Sequence, residues 1–372
     1  MLARFPSIWF GIVLVLLAIT GTVRSPAQHQ PWKFVLFADS RGDDFVTPVN
    51  TNILSELARA VVREYPDFLL FGGDFAYFTT FAELQLWTNA LSPVYAAGIP
   101  VYPTLGNHEV DRAAFGTMFA ASLPTNGPRG GVDFSYYVQH QNALILLLDH
   151  YVPTNQLRVS QIWVDAVLST NSMPHVFAFG HAPAFKLVHN DCLGSYPNNR
   201  DLFWNSLSNA HSRIYFSGHD HLYDRARLED QDGKPSNDIQ QIIVGTAGGP
   251  LYSDYPYDGI NSGWVPVRAF HEMQFGYETV EIDGDRVTCT WFHRTAPDNY
   301  EVADVFRYSI APLPVLTFQY SSNTLTLFWS PTGILQSASS PTSTFTNLTS
   351  AGTSIVITNL EGPATFYRVR GQ

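Results

Sequence analysis

Cysteine is scarce, with two in 372 residues. Cys192 and Cys289 can form one disulfide outside the cytoplasm or remain two buried thiols, and the sequence leaves both open. So wide a separation excludes a zinc ribbon, so any metal must be held by other side chains. Charge is also scarce, at 14% of residues. The 21 lysines and arginines form no cluster, and 32 acidic residues outnumber them to give a net charge of -11. A nucleic-acid binder would carry a basic patch, so that class is excluded. An anionic substrate would have to be held by local cations against this field. No internal repeat is present. Apolar residues at 45% and aromatics at 14% describe a globular chain.

Long apolar runs are missing as well, except near the start. Arg4 precedes a run from Ile8 to Ile19, short of the roughly 20 residues that span a bilayer. Ser25-Pro26-Ala27 then offers small residues for cleavage. Residues 1–27 read as a secretory signal peptide, with an uncleaved anchor as the alternative. The expectation is a secreted or periplasmic protein with no transmembrane span in the mature chain.

Several short apolar runs end abruptly in polar, metal-competent residues. KFVLFA leads to Asp39, DFLLFGG to Asp74, VYPTLG to Asn107 and His108, ALILLL to Asp149 and His150, HVFAFG to His181, and RIYFSG to His219. Such runs, rich in β-branched and aromatic residues, predict buried strands. Helical periodicity occupies 50–64 and 156–169. Strands alternating with helices predict an α/β core, whose ligand crevice lies beyond the carboxyl ends of the strands. Each of these polar clusters sits at such an end. QQIIVGTAGGPLY, YETVEIDG and RVTCTWFHR predict further strands that complete the core sheets.

The composition shifts at Ala311-Pro312-Leu313-Pro314. Short alternating segments follow, rich in Ser and Thr, and predict a small all-β module over 312–372, too short for a full sandwich of about 100 residues. It carries an Asn347-Leu348-Thr349 glycosylation sequon. Its end, FYRVRG, resembles terminal β modules of secreted bacterial hydrolases. Contact with a glycan or the cell envelope is the partner expected of it.

Carboxylate, imidazole, amide oxygen and phenolate all bind first-row metals. In GHDH, His219 and His221 lie on one face if the segment is extended, or fan onto two neighbouring metals if it is a loop. Asp39 and Asp74 end strands that can be adjacent, where one carboxylate can bridge two ions.

Asp39 in FADSRG, Asp74 in GGDFAY, Asn107-His108 in GNHE, His181 in FGHAP and His219-His221 in GHDH resemble the five ordered motifs of the calcineurin-like metallophosphoesterases, over residues 33–225. The likeness is closest to the purple acid phosphatases. Arg41 stands where a histidine usually follows the first aspartate, while Tyr77 fits the pattern GDxxY and GHDHLYDR fits GHxHxYxR.

The resemblance implies a four-layer αββα sandwich over 31–310, with Asp39, Asp74, Tyr77 and His221 on a first metal. Asp74, Asn107, His181 and His219 would hold a second, Asp74 bridging. In that family the first ion is Fe(III), and the second is Fe(II), Zn or Mn. Two such ions, about 3.5–4 Å apart, clamp an in-line displacement at phosphorus with a metal-held hydroxide as nucleophile. The implied reaction is hydrolysis of a small phosphomonoester. His108 would donate the proton to the leaving oxygen. Arg41, beside Asp39, is the candidate contact for the phosphate.

Other residues read as structural. His150 resembles a site residue by placement only and is expected in a structural or rim role. His175, His189, His211, His271 and His293 are expected to be ordinary. Asp220, Tyr223, Asp224 and Arg225 are expected to brace the loop by hydrogen bonds. Residues 245–249, GTAGG, lack the lysine of a nucleotide loop and are expected to form a tight turn. Two other functions share these motifs: a phosphodiesterase on nucleotides or glycerophosphodiesters, separable only through loops such as 182–200 and 250–266, and a non-catalytic surface-binding protein that keeps the fold as scaffold.

Overall fold

The structure is a computed structural model, which describes residues 30–371 apart from 129–130, 254, 258–261, 311–315, 322–323, 330–332, 341–342, 349–352 and 359–364. The expected signal peptide, the 311–314 boundary and Thr349 of the sequon lie outside the described residues. Among the described residues, no helix is long and apolar enough to cross a membrane.

In chain order the elements are β1 (Trp32–Phe37), α1 (Thr51–Glu64), β2 (Phe68–Phe71), α2 (Phe81–Ala90), α3 (Ser92–Ala96), β3 (Val101–Pro103), α4 (Arg112–Phe119), β4 (Tyr136–His140), β5 (Ala143–Leu148), α5 (Gln161–Thr170), β6 (His175–Gly180), α6 (Pro197–Asn209), β7 (Ile214–Ser217), β8 (Tyr223–Glu229), β9 (Ile239–Val244), β10 (Val265–Glu272), β11 (Gly276–Asp283), β12 (Arg286–Ala296) and β13 (Asn299–Ser309). All six runs that end in polar residues are strands.

Two mixed sheets result. The first is six-stranded in the order β13-β12-β11-β1-β2-β3, with β1, β2 and β3 parallel. The second is seven-stranded in the order β10-β8-β9-β7-β6-β5-β4, with β5, β6, β7 and β9 parallel.

Alternation along each strand decides the layering. Phe34, Leu36, Phe68 and Leu70 of the first sheet meet Ile145, Leu147, Phe177, Phe179 and Phe216 of the second. Their neighbours Val35, Phe37, Leu69 and Phe71 face the other way, onto Leu57, Val61, Trp87 and Phe115 of the helices. On the far side, Leu144, Leu146, Ala178 and Tyr215 pack against Val164, Phe203, Trp204 and Leu207. The order is helix, sheet, sheet, helix, as expected. Strands buried on both faces read as continuous apolar runs, which is why the sequence displays them so clearly. Phe34 sits at the centre, stacked on Phe68 at 5.3 Å and edge-on to Phe177 at 5.6 Å, so truncation to alanine costs about 3–5 kcal/mol.

Local chemistry fixes the helix ends. Asn50 caps α1 by accepting from the Ile53 N–H, and Thr80 with Glu83 forms a reciprocal capping box on α2. One boundary differs from expectation: α5 begins at Gln161, not at 156. Leu157 has a φ of +56°, and its N–H donates to the His150 carbonyl at 2.6 Å, which no α-helical residue could do.

Beyond the core, β14 (Leu316–Ser321), β15 (Thr324–Trp329) and β18 (Ser354–Ile357) form one three-stranded sheet, in the order β14-β15-β18. In a second, β16 (Gly333–Ala338) lies between β17 (Thr346–Asn347) and β19 (Phe366–Gly371). Leu327, Trp329 and Leu335 form their shared core, a reduced sandwich. Cys192 and Cys289 are free, buried thiols. Burial pushes the Cys192 thiol up to about 11 and raises that of Cys289 as well, so neither is a ready thiolate.

Candidate metal centre

Parallel strands present their carboxyl ends on one side, so residues that follow β1, β2, β3, β6 and β7 converge at the seam between the two sheets. Asp39, Asp74 and Asn107 come from the first sheet; His181, His219 and His221 come from the second. One ligand-type atom each of Asp74, His181 and His219 lies within 4.8 Å of the others, and the same holds for Asp39, Asp74 and His221. The two triads share Asp74. Asn107 Oδ1 adjoins the first triad, 3.0 Å from His181 Nε2.

The backbone is held in a rare conformation to achieve this. Asp39, Asp74 and His219 have φ values of +65°, +54° and +69°, the left-handed region that costs a residue with a Cβ about 1–2 kcal/mol each. Hydrogen bonds enforce it. The Asp39 N–H donates to the Gly73 carbonyl, the Gly249 N–H to the Asp39 carbonyl, and the Ser40 and Arg41 N–H groups to the Asp74 carbonyl. Such strain gathers where function needs it. Two motif glycines are required by close approach: a Cβ on Gly218 would lie 2.3 Å from Asp39 Oδ2, and one on Gly106 2.2 Å from Asp74 Oδ1.

Each histidine has one ring nitrogen anchored. His181 Nδ1 donates to the Gly72 carbonyl at 2.8 Å, and His221 Nδ1 to the Pro250 carbonyl at 2.9 Å. His219 Nε2 faces Asp191 Oδ1 at 3.2 Å. The other nitrogen is thereby directed to the seam, the arrangement by which metal-ligating histidines are oriented.

The electrostatics fit a cation. Burial opposes charge on His181, but Asp74 and Asp39 overcome it and carry its pKa up to about 10. Burial would raise Asp74, but His181 and His108 hold it well below the usual carboxylate range. With Nδ1 already donating, the second proton of His181 occupies the place a cation would take. Asp39 Oδ1 is buried and accepts no hydrogen bond, and the Tyr151 hydroxyl is equally buried and unpartnered. Buried polar atoms are rarely left so without a ligand. The donor set of carboxylate, imidazole and amide oxygen suits a divalent or trivalent first-row ion.

Around this cluster stand the other expected residues. His108 donates from its backbone N–H to Asp74 Oδ1 at 3.0 Å and from Nδ1 to the Tyr77 carbonyl at 2.5 Å. Its Nε2 is then 3.9 Å from Asp74 Oδ2. Tyr77 is half-buried, its ring 5.8 Å from that of His108. Arg41 Nε lies 3.9 Å from Asp74 Oδ2, and its guanidinium donates to the Tyr252 hydroxyl at 3.3 Å.

Tyr252 stacks on His221 at 4.5 Å and 14°, a contact invisible in the sequence. Glu109 was visible in GNHE but had no assigned role. It is buried and accepts from the Asp74, Phe75 and Gly106 N–H groups and from the Thr79 hydroxyl, tying two loops of the site together. Burial and the charge of Asp74 push its pKa up to about 7. His189, expected to be ordinary, instead packs on His219 at 4.5 Å. His150 is structural as expected: Nδ1 accepts from the Ala182 N–H, and burial, with His181 and His219 nearby, lowers its pKa to about 3. The bracing of the GHDHLYDR loop is also observed. Asp220 accepts from the Val188 and His189 N–H groups, Asp224 accepts from Tyr257 and His271, and Arg225 is bidentate on Asp304. Residues 245–249 turn tightly against Asp39 and His221.

Residues 33–223 match the family model described as calcineurin-like phosphoesterase. Purple acid phosphatase 22 of Arabidopsis thaliana is 24% identical over 293 residues, covering 76% of this chain and 64% of that protein. The structure of purple acid phosphatase PPD1 from yellow lupin (Lupinus luteus) seeds aligns with a TM-score of 0.58 at 16% identity, over 77% of this chain and 55% of that one. GAP50 of Plasmodium, described as the anchor in the inner membrane complex, aligns with a TM-score of 0.54 at 16% identity, over 76% and 90%. The two structures share the fold. The chain spans less than two thirds of the length of either phosphatase.

Proposed function

The chain belongs to the calcineurin-like phosphoesterase family, and from that footing we propose that it hydrolyses small phosphomonoesters at a two-metal centre. The observation that carries this reading is the pair of triads sharing Asp74. Asp39, Asp74, Tyr77 and His221 would hold one ion, of ferric type. Asp74, Asn107, His181 and His219 would hold the other, a divalent iron, zinc or manganese. Bound there, the ions supply an activated water and neutralise charge on the phosphoryl group.

The protein's own residues do the rest. Asp74 would be shared between the two ions, and its backbone is fixed by the Arg41 and Ser40 N–H groups, which donate to its carbonyl. The Tyr77 carbonyl fixes one proton of His108 on Nδ1, so Nε2 faces the site, and the doubly protonated ring would deliver its Nε2 proton to the leaving oxygen. Arg41, steadied by Tyr252, offers a fixed cation to a phosphoryl oxygen where the acidic chain would otherwise repel it. Residues 31–310 form the catalytic domain and 312–372 an accessory module that contacts a glycan or the envelope. Secretion or periplasmic export is the reading that the signal-peptide-like composition of residues 1–27 supports.

The test compares p-nitrophenyl phosphate with bis-p-nitrophenyl phosphate on the purified chain, with and without chelator. The expected result is faster monoester turnover, abolished by chelation. Faster diester turnover would replace this reading by a phosphodiesterase. No turnover of either, with the metals bound, would leave a binding scaffold.

A further inference from the structure

The three histidines of the centre are not anchored alike. His181 and His221 lean on main-chain carbonyls, of Gly72 and Pro250. Gly72 directly follows β2, and Pro250 directly follows the 245–249 turn. His219 leans instead on a side chain, Asp191, whose carboxylate is about half exposed. Asp191 belongs to the loop that follows His181, and that loop is bolted back onto the histidine segment. Asp220, between His219 and His221, accepts from the Val188 and His189 N–H groups and, at 2.7 Å, from His189 Nδ1. Each loop thus holds the other through an aspartate: Asp220 secures the 188–189 backbone, and Asp191 secures the ring of His219. The His189 ring, 4.5 Å from that of His219, closes the bracket.

We infer that Asp191 is the positioning residue for the second metal, and that through it the 186–193 loop governs occupancy of that site and not of the first. The inference rests on the two-metal reading above. Its physical basis is the tautomer of His219. A hydrogen bond from Nε2 to a carboxylate keeps the proton there, leaves Nδ1 free for an ion and increases its basicity. Among the described residues, no other hydrogen bond to the His219 ring selects between its two nitrogens. Among the described residues, the Asp191 carboxylate pairs with His219, and no hydrogen bond or ion pair joins it to His221 or Asp39, so the first triad should keep its geometry.

The test is a titration of the metal-stripped full chain with Zn²⁺ alone, following heat and stoichiometry. Wild type is expected to take up two ions. Asp191→Ala should bind the first ion with unchanged affinity and the second about 10- to 100-fold more weakly, the range for loss of such a partner. Asp191→Asn, which keeps an acceptor oxygen without its charge, should recover part of the loss. A merely structural role would not separate the two sites or respond to asparagine. Unchanged binding of both ions in Asp191→Ala, or equal weakening of both, overturns the inference. Uptake of fewer than two ions by wild type overturns the two-metal reading itself, and this inference with it.

Discussion

Asp39 Oδ1 stands 3.4 Å from His221 Nε2 and accepts no hydrogen bond, while Asp39 Oδ2 accepts from the His219 N–H at 2.9 Å. One oxygen holds the histidine loop in place, and the other faces the seam. Asp39→Ala should therefore lower the metal content from two ions to one. It should also reduce kcat/KM by more than the about 10- to 100-fold that follows from losing a supporting partner. Metal analysis beside steady-state kinetics checks this. An unchanged content of two ions would remove Asp39 from the ligand set.

His108 is predicted to matter through its proton. Removing a general acid costs about 10²–10⁴ in rate, and more when the leaving group is a poor one. His108→Asn should slow alkyl phosphates far more than p-nitrophenyl phosphate, with metal content unchanged. Equal losses on both substrates would count against proton donation.

Tyr77 is predicted to give the protein its colour. The family resemblance implies a charge-transfer band from phenolate on ferric iron, which Tyr77→Phe should remove. A visible spectrum decides it. A colourless wild type holding two zinc or manganese ions would refute the ferric site and leave phosphoester hydrolysis standing.

Glu278 tests the core. It is fully buried in β11, with the Tyr223 hydroxyl as the polar neighbour of its carboxyl group. Burial, then the charge of Asp304, raises its pKa well above the usual value. Its carboxyl thus stays protonated in the folded chain after the unfolded chain has ionised. The resulting stability is complete below the unfolded pKa of about 4.5 and is lost as pH rises above it. Glu278→Gln should therefore stabilise the protein at pH 7 by about 1–2 kcal/mol and change little at pH 4. Urea unfolding at the two pH values checks the sign.

The strands and the convergent candidate ligands were legible because their physics is local. Double burial makes β1, β5 and β6 unbroken apolar runs, and a polar residue at such an end can only point into the crevice. Asp191, His189 and Tyr252 were not legible. Their positions depend on loops shaped by distant partners, such as Asp220 on His189 or Arg41 on Tyr252, and no short-range pattern encodes that pairing. The start of α5 was hidden for a related reason. The sequence from 156 has helical periodicity, but the bond from Leu157 to His150 overrides it.

The proposed ligand set is divided between the sheets, with Asp39, Asp74, Tyr77 and Asn107 on one side of the seam and three histidines on the other. The first sheet supplies both carboxylates and the second supplies the imidazoles, so neither sheet alone completes either triad. Capture of an ion must therefore wait until the sandwich has closed, and an ion once seated acts as a rivet through both halves. Stripping it should loosen the grip of one sheet on the other as well as silence the chemistry.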